Sequence, residues 1–173
     1  MKRYTNLLIV LFISIFAVTS VVGQMTKEEK RAKKKASREI LKQVIVSIDE
    51  EKYVESISLI DSLLLLDPKN ADGFYFKGLS LAKTNDTSTA LVALEEGIIK
   101  APLSSRLKIL TSRLYLNQGK LDQALAHLES ILKFKPKEPE TLYLCGEIYL
   151  QKADTVLALE YFENALQYKL EGK

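Results

Sequence analysis

One interval, 34 residues, recurs through this chain in several residue types at once. Pro68, Pro102 and Pro136 are spaced by 34 and 34, and the small residues Ser56, Ala90, Ala124 and Ala158 keep the same step. Bulky apolar Ile60, Leu94, Leu128 and Phe162 follow that small set by four residues each, and Gly78 and Gly146 stand two steps apart with Ser112 midway. A fixed period carried by independent residue types is an internal repeat, and periods of 20–50 residues mean stacked supersecondary units. The units run 37–70, 71–104, 105–138 and 139–172.

Each unit holds two amphipathic stretches. In the last, Leu142, Tyr143, Gly146 and Tyr149 recur at steps of three and four, and so do Leu157, Ala158, Tyr161, Phe162, Ala165 and Leu166. That spacing gathers each set on one helical face. Polar breaks, "TNDTS", "NQGKLD" and "QKADT", suit tight turns between antiparallel helices. The prolines are punctuation. Pro136 stops one second helix, and Pro139 opens the next helix, where a missing N–H is harmless.

These positions resemble the tetratricopeptide repeat family, whose pattern W-x2-L-G-x2-Y, A-x3-F and P is matched by Phe74, Gly78, Ala90, Leu94 and Pro102. It is matched again by Tyr115, Ala124, Leu128 and Pro136, and by Leu142, Gly146, Tyr149, Ala158, Phe162 and Ala165. The first unit departs from it with Val44 at the glycine position, and the last with Leu170 at the proline. The resemblance implies an all-α, right-handed α-solenoid of four helix-turn-helix repeats whose first helices line a concave groove that binds a peptide or protein segment. Carried over by position, the groove residues are Leu41, Ile45, Tyr75, Leu79, Ile109, Arg113, Tyr143 and Glu147, flanked by Lys83 and Arg106. Each of these is also a candidate for packing against a neighbouring helix. Family members that clamp the terminal carboxylate of cytosolic chaperones use lysines and asparagines in the groove. The matching places here hold leucine, isoleucine and tyrosine, with Arg113 the one cation, so that clamp is not expected.

The ends differ from the body. "MKRYTNLLIVLFISIFAVTSVVGQ" has a basic head, an apolar run from Leu7 to Val18 broken only by Ser14, and small residues before Gln24. This is the pattern of a secretory signal peptide at 1–23. The alternative, an uncleaved anchor in the inner membrane, has only the stretch Leu7 to Val22, short of the ~20 residues of a spanning helix. The expected location is therefore outside the cytoplasm, in a bacterial periplasm or cell envelope. No cysteine stands near the exit, so a lipid anchor on cysteine is not expected.

A basic arm, 24–36, follows. Residues 27–42 carry eight basic and three acidic side chains, whereas residues 43–173 carry 15 basic and 19 acidic ones. Thr26 and Glu29 have the spacing of a capping box, which starts a helix running into Ile40, Leu41, Val44 and Ile45. The arm reads as a solvated extension, or as a weak contact to an anionic membrane surface. Nucleic acid is a poor partner for an acidic body. At the other end, terminal repeats need a polar outer face, yet Tyr161, Ala165, Tyr168 and Leu170 offer apolar surface. They are read as a docking face for a second copy, giving a homo-oligomer, or for a protein partner.

Little here supports catalysis, and no cofactor is expected. With one cysteine and one histidine, the chain lacks the usual zinc ligands. Cys145 reads as a small buried hydrophobe, and His127, with no partner near it in sequence, as a surface residue. "DPKNAD" lacks the spacing of a calcium loop and reads as a cap for a helix beginning near Ala71. Glu50–Glu51 and Glu95–Glu96 are adjacent pairs, read as solvated faces. Asn85-Asp86-Thr87 fits an N-glycosylation acceptor, and Asp154-Thr155-Val156 a bacterial O-glycosylation motif, both at turns.

Overall fold

The computed structural model describes residues 26–172; residues 1–23, read above as a signal peptide, lie outside them. The chain divides into two compact units, Met1–Ala36 and Ser37–Lys173. In order the helices are α1 (Lys27–Asp49), α2 (Tyr53–Leu66), α3 (Ala71–Lys83), α4 (Thr87–Lys100), α5 (Ser105–Asn117), α6 (Leu121–Leu132), α7 (Pro139–Gln151) and α8 (Thr155–Glu171). No strand occurs among the described residues.

In the first unit the described residues are helical from Lys27, and the capping box is formed. Thr26 donates its N–H to Glu29 Oε2 at 2.7 Å, and the Glu29 N–H returns to Thr26 Oγ1 at 3.1 Å. Lys27, Lys30, Arg31, Lys34 and Lys35 are exposed.

The second unit is an all-α solenoid built from the 34-residue units. Four helix starts are capped by a side chain that accepts an N–H three residues on: Asn70 from Gly73, Asp86 from Thr89, Ser104 from Leu107 and Asp154 from Leu157. Such caps satisfy donors that the first turn leaves free. "DPKNAD" is thus a cap, with Asn70 Nδ2 bonded back to Asp67 at 3.0 Å.

The turns between first and second helices show a period that the residue types conceal. Glu51, Asn85, Gly119 and Ala153 have φ of 58°, 65°, 71° and 61°, and they are 34 residues apart. Behind each, a backbone N–H reaches five residues back: Lys52 to Ser47, Asp86 to Leu81, Lys120 to Tyr115 and Asp154 to Tyr149, all at 2.8–2.9 Å. This is the Schellman closure, whose left-handed residue is usually glycine. Only one of the four is glycine here.

Packing follows from small residues at helix crossings. A Cβ on Gly78 would lie 2.4 Å from Leu94 Cγ, and one on Gly146 would lie 2.6 Å from the Phe162 ring. Ser112, midway between them, bonds the carbonyls of Lys108 at 2.8 Å and Ala124 at 3.1 Å. The core is a row of three clusters rather than one mass. Val44, Ile60 and Phe76 form the first, Phe74, Leu94 and Leu107 anchor the second, and Ile109, Leu128 and Leu144 the third. Each joins the second helix of one repeat to the first helix of the next. Full burial of each such side chain contributes about 1.5–3 kcal/mol.

Two substitutions test this geometry by urea denaturation. Ala153→Gly relieves a left-handed alanine and is expected to raise stability by about 1 kcal/mol. Gly78→Val overpacks the crossing with Leu94 and is expected to lower it by about 1–3 kcal/mol.

Candidate functional site

The first helices lie side by side: α3 touches α5, and α5 touches α7, whereas successive second helices make no such contact among the described residues. One continuous face is therefore built from first helices alone. Charged pairs tie it together. Arg106 on α5 bonds Asp72 on α3 at 3.0 Å, one full period away, and Arg113 bonds Glu140 on α7 at 3.0 Å. Exposed pairs of this kind contribute at most about 1 kcal/mol each, so their main effect is to orient the arginines. Arg106 is further fixed by stacking, its guanidinium carbon 3.8 Å from the centre of the Tyr75 ring.

Between these helices a cleft of about 370 Å³ has Tyr75 and Arg106 on one wall and Lys135, Glu138 and Glu140 on the other, with Ile109 and Arg113 between them. Ser105, also on its wall, has a buried hydroxyl with no hydrogen-bond partner among the described residues. Next to it, a cleft of about 540 Å³ shares Arg113 and Glu140 and is walled by Tyr143, Phe162 and Leu166. Aromatic and arginine side chains are the types that protein interfaces favour.

The carried-over residues separate by burial. Arg106, Arg113, Lys83, Ile45 and Tyr143 are exposed, and Tyr75, Leu79, Leu41 and Glu147 are half-buried. Ile109 is buried against Leu128 and Ile131, so it packs the core as well as lining the cleft. At the other end, Tyr161 stacks on Tyr149 with centroids 5.3 Å apart, and Tyr168 lies under Lys137 at 4.9 Å. Ala165 is buried and Leu170 exposed.

Two readings of single residues need correction. His127 is not a solitary surface residue: its Nε2 lies 3.0 Å from Glu95 Oε1, and its ring stacks on Tyr115 at 5.9 Å. Glu95 is likewise no freely solvated carboxylate, because it also accepts the Tyr115 hydroxyl at 3.1 Å. Burial and then the Glu95 charge raise the Tyr115 pKa. These partners lie 20 and 32 residues apart in sequence, so no local motif announces them. Asn85 and Thr155 are exposed at their turns.

No group of three or more His, Cys, Asp or Glu side chains placed to hold a metal ion occurs among the described residues. The faces of this unit offer shape, aromatic surface and paired charge.

Stacked antiparallel helix pairs with a shared first-helix face define the class, an α-solenoid of helix-turn-helix repeats. Residues 81–148 match the family model of the tetratricopeptide repeat. MamA from Desulfovibrio magneticus RS-1 is similar in structure, with a TM-score of 0.67, 21% identity, and coverage of 93% of this chain and 94% of that one. PilF from Pseudomonas aeruginosa gives 0.74 at 15% identity, covering 79% and 63%. YrrB, described as a tetratricopeptide-repeat protein with an unusual peptide-binding site, gives 0.62 at 24% identity, covering 72% and 64%. No match is found among curated protein sequences.

Cys145 supplies a test of the packing beneath this face. It is fully buried, and burial, followed by the charge of Glu129, pushes its thiol from 9.0 up to about 12. Between those values the unfolded chain has lost a proton that the folded chain keeps, so stability falls as pH rises through that window. Cys145→Ala is expected to flatten the decline, read as the urea midpoint measured from pH 8 to 11.

Proposed function

We propose that this protein is a non-enzymatic scaffold or adaptor that holds a segment of another protein against its first-helix face, working outside the cytoplasm. The observation that carries the reading is the cleft between α3, α5 and α7, where Arg106 is held against Tyr75 and beside Asp72. An arginine already stacked and ion-paired loses little conformational freedom when a partner arrives, which keeps the ordering cost of binding low. Tetratricopeptide repeats are in general protein-interaction scaffolds, and the peptide-binding site described for YrrB is consistent with this use of the fold. The extracytoplasmic part of the proposal rests on the signal-like pattern of residues 1–23, and a bacterial periplasm or envelope is the compartment it suggests.

A second reading, attachment to an anionic membrane surface, is favoured by the exposed lysines of residues 27–35. Each basic residue near such a surface contributes about 1 kcal/mol, and salt abolishes the effect.

The test compares crosslinked capture from native envelope extract by the parent and by a Tyr75→Ala, Arg113→Ala, Tyr143→Ala variant, with circular dichroism confirming that both are folded. Partners held by the parent are expected to be lost from the variant. Identical capture by both proteins would remove the first-helix face from the function.

A further inference from the structure

On α8 two leucines stand exposed at positions that their counterparts one repeat apart bury or half-bury. Four columns of second-helix residues recur at the step of 34: 57/91/125/159, 60/94/128/162, 63/97/131/165 and 64/98/132/166. Most of their members in α2, α4 and α6 lie in or against the clusters shared with the following repeat, and Leu94 also crosses its own repeat at Gly78. In α2, α4 and α6 these positions are buried or half-buried throughout, and Ile60, Leu94, Leu128, Leu63 and Ile131 are fully so. In α8, Leu159 and Leu166 are 59% and 60% exposed. Leu166 joins Phe162, Ala165 and Tyr143 around the 540 Å³ cleft, with Pro139 and Lys169 also on its walls.

The same surface one repeat earlier shows what fits there. Leu128, Ile131 and Leu132 of α6 are covered by Leu144, Cys145 and Ile148 of α7. On α4, Leu91 and Leu94 are covered by Leu107 and Leu114 of α5, with Leu110 packed alongside. Lys135, the counterpart of Lys169, lies 4.0 Å from Glu138 at the start of α7.

We propose that the cleft of α7 and α8 is the docking site of an amphipathic helix from a partner polypeptide, seated as α7 sits on α6. The partner helix presents apolar side chains at i, i+3 or i+4, and i+7, and an acidic residue at its N-terminus that meets Lys169. A second copy of this chain in the same pose does not fit. Its counterpart positions on α1 are Glu39, Lys42, Gln43 and Val46. Glu39 and Lys42 form an exposed ion pair at 3.2 Å, which the contact would bury. Burying such a pair costs several kcal/mol in desolvation. This site shares Arg113 and Glu140 with the cleft on which the scaffold reading rests, so the two readings are told apart by Tyr75 on one side and by Leu159 and Leu166 on the other.

The probe is a labelled synthetic peptide of residues 137–152, the chain's own α7 segment, titrated under reducing conditions onto the full chain. Saturable binding is expected. It should weaken about ten-fold or more, equivalent to about 1.4 kcal/mol, on Leu159→Glu with Leu166→Glu. Both sites are exposed, so the variant is expected to fold, which circular dichroism checks. A peptide carrying Leu144→Glu and Ile148→Glu should not bind, and Tyr75→Ala in the protein should leave binding unchanged. Absence of saturable binding up to about 1 mM, or equal binding by the double variant, overturns the proposal. Sedimentation of the parent alone supplies a further arm: a dimer dissolved by Leu159→Glu with Leu166→Glu would assign the cleft to a second copy and overturn the partner assignment.

Discussion

An amphipathic helix pair cannot bury its own apolar stripe, and every other feature of this protein depends on how that surface is covered. The solution here is close crossing at a small residue, Gly78, Ser112 or Gly146, with the second helices α2, α4 and α6 then roofed by the first helix of the next repeat. Because each roof belongs to the following unit, the core extends as a row of clusters and stability is roughly a sum of neighbour terms. The same arrangement sets first helix beside first helix. A surface carrying Tyr75, Arg106, Arg113 and Tyr143 is thus produced by the packing rule itself.

Much of this architecture is legible in the sequence, since the residues that carry the period answer to steric requirements that few residue types meet. Glycine or serine at a crossing and proline after a second helix are steric requirements, so their types persist. The left-handed turn positions are different. Glu51, Asn85, Gly119 and Ala153 share one backbone conformation with four residue types, because a Schellman closure with its own hydrogen bonds tolerates the ~1–2 kcal/mol strain of a side chain there. No pattern of letters reports it. The Glu95–Tyr115–His127 cluster was hidden for another reason: it is assembled from α4, α5 and α6 and has no local spacing.

The candidate binding face is legible in the sequence only as a set of positions. Sequence register places Tyr75, Ile109 and Arg113 on the same kind of helix face, but burial decides what each does. Ile109 packs beneath the cleft while Arg113 stays on its surface, paired to Glu140. At the C-terminal end the difference between Tyr161 and Leu166 is likewise one of environment: stacking on Tyr149 occupies the first, whereas the second is exposed. Repeat proteins make such comparisons unusually direct, because every position has counterparts at steps of 34 in a known environment.

The most direct test of the central claim, that partners meet the face of first helices, is site-specific photocrosslinking followed by mass spectrometry. One probe replaces Tyr75, and another replaces Leu65, an 81% exposed leucine on the second helix α2. Partner adducts from position 75 and none from position 65 are the result this structure predicts. Adducts from position 65 alone would place recognition on the second helices and contradict it.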